Sequence, residues 1–281
     1  MTCLIPSGLV ADLVSRTLDE DLGGRGDVTS LATIPAAATA RFDIVSRADG
    51  VLAGAQPARE VFAQVDRLIG AEWWKRDGDR VAAGDRVARL SGPARSLLTA
   101  ERSALNFLGR MSGIATLTAR YVDAVAGTGV AIAHTRKTTP TLRALEIQAV
   151  RAGGGASHRY GLDDAILIKD NHVAVCGSVG EAVRRARSYA GHMTRVAVEI
   201  DRLDQLDDAL SAGAESVLLD NFPLDDLRTA VRAAKGQVTL EASGGVTLET
   251  VRAIAETGVD VISIGALTHS AVNFDLGLDA V

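Results

Sequence analysis

Apolar residues recur along residues 7–19 at Leu9, Val10, Leu13, Val14 and Leu18, the 3.6-residue spacing of a helix that buries one stripe. A turn-rich stretch with three glycines follows, from Glu20 to Ser30. Residues 40–53 group Phe42, Ile44, Val45, Val51 and Leu52 around Asp49-Gly50 and predict a strand hairpin. Pro57 to Val65 reads as a short helix with Pro in its first turn. Residues 72–92 set short Val-containing strands between Gly-Asp turns. A long helical region, 94–126, carries Leu97, Leu98, Leu105, Leu108, Met111 and Leu117 on its apolar face, with a break expected at Ser112-Gly113.

The 72–92 stretch resembles the barrel-sandwich folds of biotinyl and lipoyl carriers, but no Lys stands at a hairpin tip. It therefore reads as a small packing layer. Past the long helix the texture changes. Short apolar runs at 130–133, 165–168, 196–198, 216–219, 238–240 and 261–264 alternate with amphipathic helices such as LDDLRTAVRAA and LETVRAIAETG. Repeated strand–helix units imply parallel strands with helical crossovers, and six to eight of them in this length suggest a compact (β/α) barrel.

The chain has 281 residues, 47% hydrophobic and 23% charged, the balance of one large or two medium globular domains. Aromatics are only 4%, so Ala, Val, Leu and Ile must build the core. A net charge of -5 argues against general nucleic-acid binding and leaves room for a local basic pocket. Two isolated cysteines, Cys3 and Cys176, form no disulfide scaffold, so a reducing cytoplasm is expected. Pro6, Ser7 and Asp12 interrupt the first apolar run, which argues against a signal peptide, and no run is long enough for a membrane span.

In a (β/α) barrel the chemistry sits where the strands end. The apolar runs are followed by His134-Thr135-Arg136-Lys137, by Lys169-Asp170-Asn171-His172, by Glu199 and Asp201, by Asp220-Asn221, by Glu241-Ala242-Ser243-Gly244-Gly245, and by Gly265 to His269. Arg136, Lys137, Arg143, Arg151, Arg159 and Lys169 concentrate positive charge between His134 and His172. Arg offers a planar fork for carboxylate or phosphate and Lys a point charge. Arg143 and Arg151 read first as solvated helix charges beside Glu146, Asp163 and Asp164 and only second as pocket residues. Glu199 and Asp220, ending neighbouring strands, suit Mg²⁺ held partly through water and phosphate; each could instead pair with a barrel Lys. Asp201 reads as a helix N-cap. Ser243-Gly244-Gly245 and Gly265-Ala266 suit a phosphate held on backbone N–H groups. Gly153 to Gly155 read as an anion nest or a tight turn.

The strings DLGGRGDVTS, ERSALNFLGRMSG, TRKTTPTLRALE, AVRAGGG, HRYGLDDAILIKDNH, LLDN, EASGGV and IGALTHS run through nearly the whole chain in order. With them the chain resembles the quinolinate phosphoribosyltransferases, the carboxylating nicotinate-nucleotide pyrophosphorylases. The resemblance implies an α/β protein: an N-terminal α/β sandwich domain with an interface helix over 1–115, an open (β/α) barrel over 116–270, and a tail, 271–281, returning to the N-terminal domain. It implies a homodimer, or a higher assembly, with shared active sites. Arg136, Lys137, His158, Arg159 and Lys169 would surround the dicarboxylate of quinolinate, and Arg102 would reach in from the other subunit. Glu199 and Asp220 would position Mg²⁺ and the ribose-pyrophosphate of PRPP, making them with Lys137 the catalytic set. Ser243, Gly244, Gly245 and Gly265 would cradle the 5-phosphate, with His269 close by.

The sequence departs from the family pattern at Thr141, where Gly is usual, at Ile147-Gln148, at Ser157 and at Ala197. These leave the reaction class intact and bear on substrate choice. The alternative is a paralogue acting on another aromatic carboxylate, such as the relatives encoded with molybdenum transport. Two further readings compete: a Schiff-base aldolase using Lys169 or Lys137, and a binding protein without turnover. A crowd of anion-binding partners disfavours a nucleophilic lysine, which needs a desolvated site. The presence of Glu199 and Asp220 disfavours a mere binder.

Overall fold

The computed structural model describes residues 5–281, and Cys3 lies outside the described residues. In chain order the elements are α1 (Ser7–Leu22), α2 (Val28–Thr33), β1 (Thr39–Ser46), β2 (Gly50–Val51), α3 (Ala55–Val65), β3 (Gly70–Trp73), β4 (Arg80–Val81), β5 (Arg86–Pro93) and α4 (Ala94–Ala124). Then come β6 (Ala131–Ala133), α5 (Arg143–Ala152), β7 (Ile166–Ile168), α6 (Asp170–Cys176), α7 (Val179–Tyr189), β8 (Val196–Ile200) and α8 (Leu206–Ser211). The chain ends with β9 (Ser216–Asp220), α9 (Leu224–Ala234), β10 (Thr239–Ser243), α10 (Val251–Ala255), β11 (Val261–Ser263), α11 (Ala266–His269) and β12 (Leu276–Ala280). Two compact units result: one of Met1–Ala119, Thr139–Gly154 and Ser270–Val281, the other of Arg120–Thr138 and Gly155–His269.

In the first unit an antiparallel sheet runs β12-β1-β5-β3. Helix α1 packs on α3 and buries Val10, Leu13, Val14 and Leu18; Leu9 stays exposed. Arg89 grips Asp43 with two hydrogen bonds, 2.8 and 2.9 Å, from β5 to β1. These bonds and the Arg86 charge hold the Asp43 carboxyl below its usual range against the opposing effect of burial. The C-terminal strand β12 adds to the free side of β1, with Phe42 opposite Ala280.

Two expectations change here. The hairpin over 40–53 does not form, because β2 pairs with β4 rather than with β1. Gly50 is wedged so tightly that a Cβ there would lie 2.4 Å from Thr116 Oγ1, and Leu52 exchanges backbone hydrogen bonds with the 78–79 turn. Helix α4 also runs through Ser112-Gly113 without a break. Ser112 Oγ accepts from Ala53 N–H at 2.9 Å and donates to Ala53 O at 3.1 Å, so its hydroxyl is occupied outside the helix. Gly113 lets the backbone of Val272 approach: a Cβ would stand 2.1 Å from its carbonyl oxygen. Both residues serve packing against other segments, which their local helix preferences do not reveal.

The second unit is built on a six-stranded, wholly parallel sheet in the order β6-β11-β10-β9-β8-β7. Strands β6 and β7 occupy the edges, so the barrel is open between them. Val217, Leu219, Leu240 and Ile262 are buried on one side of the strands. The alternate positions, Glu199, Leu218, Asp220, Glu241, Ser243 and Ser263, line one cavity. Strand β10 extends to Ser243, past the expected end at residue 240, so Glu241 is a strand residue opposite Leu218 and Val261. Asp201 is not an N-cap: Arg202 holds that place before a short 3-10 turn, and the Asp201 N–H donates to Gln205 Oε1 at 3.1 Å. Among the described residues no helix is long and apolar enough to cross a membrane.

Ala is the better helix former by about 1 kcal/mol, yet Gly113→Ala is expected to destabilise the protein. The new methyl group must push a backbone carbonyl aside, and overpacking of this kind costs about 1–3 kcal/mol. Thermal or urea unfolding of the variant beside the parent measures it.

Candidate active site

The parallel strands of the second unit bring polar strand ends to a cavity of about 370 Å³. Arg136 and Lys137 follow β6, Lys169 follows β7, Glu199 stands near the end of β8, Asp220 ends β9 and Ser243 ends β10. His158 and Arg159, from the connection before β7, complete the lining of expected residues. Gly244, Gly245, Gly265, His269 and Arg102 are not part of that lining. Arg102 is an exposed side chain of α4 in the first unit.

Positive charge is crowded on one wall. Burial, and then the neighbouring charge of Arg136, pull the Arg159 guanidinium below its usual pKa, with Asp164 opposing. The buried Nε atoms of Arg136 and Arg159 have no hydrogen-bond partner. A site of this kind gains from an anion bearing several acceptors. Lys169 Nζ pairs directly with Glu199 Oε2, so these two expected residues, assigned to different ligands, touch. Asp220 Oδ2 accepts from the Asn221 amide at 2.8 Å.

Two imidazoles fix the irregular segment that carries Arg159. His134, fully buried and absent from the expected set, accepts the His158 N–H on Nε2 at 3.0 Å. Its proton therefore sits on Nδ1, 3.1 Å from Thr135 O. His158 in turn accepts the Arg159 N–H on Nδ1 at 2.8 Å, so its proton sits on Nε2, facing Glu241 Oε2 at 3.3 Å. Arg159 Nη1 reaches Ala165 O at 3.1 Å. Both ring nitrogens of His158 are thus engaged within the protein. The resemblance places it against the substrate; the geometry makes it a link between Arg159 and Glu241. Glu241 stood among the polar residues after the apolar runs but received no role there; strand β10 carries it into the cavity lining.

The glycines do local work. Gly265 packs so near the Lys137 stem and the His269 ring that a Cβ would meet them at 3.0 and 3.2 Å, and Thr268 Oγ1 holds Lys137 O at 2.7 Å. Gly244 has φ +95 and lies against Asn221, whose N–H donates to Ser243 O at 2.8 Å. The turn after β10 and the end of β9 are therefore one assembly. Gly153 closes α5 and passes close to Ala115 O.

Glu146, in the first unit, is fully buried. It accepts from Arg110 at 2.7 and 3.1 Å and from the Thr139 hydroxyl and N–H at 2.8 and 3.0 Å. Glu146 thus holds the backbone and side chain of Thr139 at the start of the segment that leads into α5. Thr141 has φ +68, strained for a β-branched residue, which explains the glycine usual there in the family pattern.

Profiles of the N-terminal and C-terminal domains of quinolinate phosphoribosyl transferase match residues 27–112 and 114–279. The chain belongs to this family. It is 45% identical over 267 residues to a probable nicotinate-nucleotide pyrophosphorylase (carboxylating) of Bacillus subtilis, covering 95% of this chain and 92% of that protein. It is 45% identical over 276 residues to the nicotinate-nucleotide pyrophosphorylase (carboxylating) of Mycobacterium leprae, covering 95% and 96%. The solved nicotinate-nucleotide pyrophosphorylase of Francisella tularensis superimposes with a TM-score of 0.95 at 39% identity, covering 99% and 98%. As a quinolinate phosphoribosyltransferase family member the chain is a transferase with the expected fold.

Glu146→Ala should destabilise the protein by about 1–3 kcal/mol, the cost of leaving the Thr139 N–H and the half-buried Arg110 without their acceptor. Urea denaturation measures the loss, and Glu146→Gln, which keeps acceptors for Thr139, should lose less.

Proposed function

We propose that this protein transfers the phosphoribosyl group of PRPP to the ring nitrogen of quinolinate and releases the 2-carboxylate as CO₂. The products are nicotinate mononucleotide and pyrophosphate, a step of NAD synthesis in the cytoplasm. The observation that carries this reading is one cavity with Arg136, Lys137, Arg159 and Lys169 beside Glu199 and Asp220. That is more cationic capacity than a single carboxylate needs, with carboxylates able to face the positive charge that develops on the ribose as pyrophosphate departs.

The residues fit Mg²⁺ in the way it usually binds phosphate substrates. Among the described residues there is no cluster of three or more His, Cys, Asp or Glu that could cage a metal. Glu199 and Asp220 nevertheless line the same cavity, and one or two carboxylates plus substrate phosphates are what Mg²⁺ normally takes. Bound there, Mg²⁺ supplies charge neutralisation of the leaving pyrophosphate. Arg136, Arg159 and Lys169 orient the pyridine dicarboxylate, and such orientation is worth several kcal/mol of barrier. Ser243, Gly244, Gly245 and Gly265, with His269, cradle the 5-phosphate on backbone N–H groups. Arg102, exposed and outside the cavity lining, acts from a second subunit of a homodimer.

Turnover with PRPP, Mg²⁺ and quinolinate should yield nicotinate mononucleotide, while nicotinate and phthalate should give none; equal use of nicotinate would overturn the dicarboxylate reading. Lys169→Ala should weaken quinolinate roughly ten- to a hundredfold, the value of a charge-assisted hydrogen bond, and PRPP much less. Asp220→Ala should do the reverse and shift the Mg²⁺ dependence, read by calorimetric titration of each ligand. Mixing inactive Arg102→Ala with inactive Lys137→Ala chains should restore part of the activity, and no recovery after verified subunit exchange would sink the shared site.

A further inference from the structure

We infer that His134 is a positioning residue: it sets the separation of Arg136 and Arg159, and through it the preference of the cavity for carboxylates on adjacent ring atoms. The inference rests on the dicarboxylate binding proposed above. The imidazole is fully buried and takes no part in the cavity lining, so it acts through its neighbours.

Its place beside the sheet explains how. The segment before β7 starts to run along the end of β6 as a further strand: Ala156 bridges Ala133 in parallel, and the Ala156 N–H donates to Ile132 O at 2.7 Å. A parallel ladder repeats its bonds two residues on, which would bring the His158 N–H to the backbone carbonyl of residue 134. The His134 ring stands in for that carbonyl, and its Nε2 accepts the His158 N–H at 3.0 Å. An imidazole reaches farther from its own backbone than a carbonyl oxygen does, so the two chains separate at this rung yet stay joined. The other ring nitrogen donates to Thr135 O at 3.1 Å.

Thr135 directly precedes Arg136, and His158 directly precedes Arg159. One rigid ring therefore ties the backbone next to each arginine. His158 tightens the second tie by accepting the Arg159 N–H at 2.8 Å. A core histidine needs only some partner for each nitrogen; here both partners are backbone groups adjoining the cationic wall. The two arginines line one cavity, and the Arg136 charge is felt at Arg159, so without a brace repulsion favours their separation. A ligand with neighbouring carboxylates engages both forks only when their separation matches its own.

The test compares the parent with three variants. His134→Leu keeps bulk but neither donates nor accepts. The shorter amide of His134→Asn reaches Thr135 O but not the His158 N–H. The longer amide of His134→Gln keeps an acceptor near the Nε2 position. Calorimetric titration measures phthalate, isophthalate and PRPP separately. The two dicarboxylates carry equal charge and differ only in carboxylate separation, so a general loss of structure weakens both alike. The parent should bind phthalate at least about tenfold more tightly than isophthalate. In His134→Leu and His134→Asn that ratio should fall about tenfold, with PRPP affinity within about threefold of the parent, and His134→Gln should keep most of the ratio. An unchanged ratio, or an equal loss for both dicarboxylates or for PRPP, would overturn the inference. Should His134→Leu not fold, His134→Asn decides by the same criterion. A parent that turns over quinolinate but binds the two dicarboxylates alike would also overturn it. A parent that makes no mononucleotide from quinolinate would instead reject the underlying reaction.

Discussion

The half-buried Arg159 guanidinium lies within reach of the charge of Arg136, and each repels the other. Such an arrangement persists only if the chain that carries it is held by other means. Here the holding is done by neutral imidazoles: His134 accepts the His158 N–H and His158 accepts the Arg159 N–H. Both rings spend a lone pair on backbone, so neither adds positive charge to the wall. The cost of gathering cations is offset when a multiply charged anion arrives, which makes the repulsion itself a source of ligand preference.

Parallel pairing supplies the rest of the geometry. Because β6 to β11 all run the same way, residues distant in sequence end on one rim, with Asp220 opposite Ser243 and Ser243 opposite Ser263. Alternation along the strands then sends Glu199, Leu218 and Glu241 into the same space. Buried apolar residues on the other side of the strands, Val217 and Leu240 among them, fix the register, since a slip of one residue would exchange the two faces.

Much of this was legible in the chain. The 3.6-residue stripe of α1, the alternation of apolar runs with amphipathic helices, and the polar residues after each run follow from patterns that are local in sequence. The placement of Arg136, Lys137, Lys169, Glu199 and Asp220 around one cavity follows from the same reading once the strands are parallel. Thr141 stood out as an unusual residue, and its positive φ supplies the reason.

Other features depend on contacts between segments far apart in the chain, and no local pattern encodes them. The hairpin over 40–53 was lost to the pairing of β2 with β4, and Gly113 serves a carbonyl from residue 272 rather than a helix break. The tautomers of His134 and His158, the Lys169–Glu199 pair and the unpartnered oxygen of Glu241 appear only when the strands are assembled. Sequence alone determined which residue types reach the rim, because strand and helix periods are short-range. Tertiary structure alone decided which of them meet, because hydrogen bonds and ion pairs depend on distances that the periods do not set.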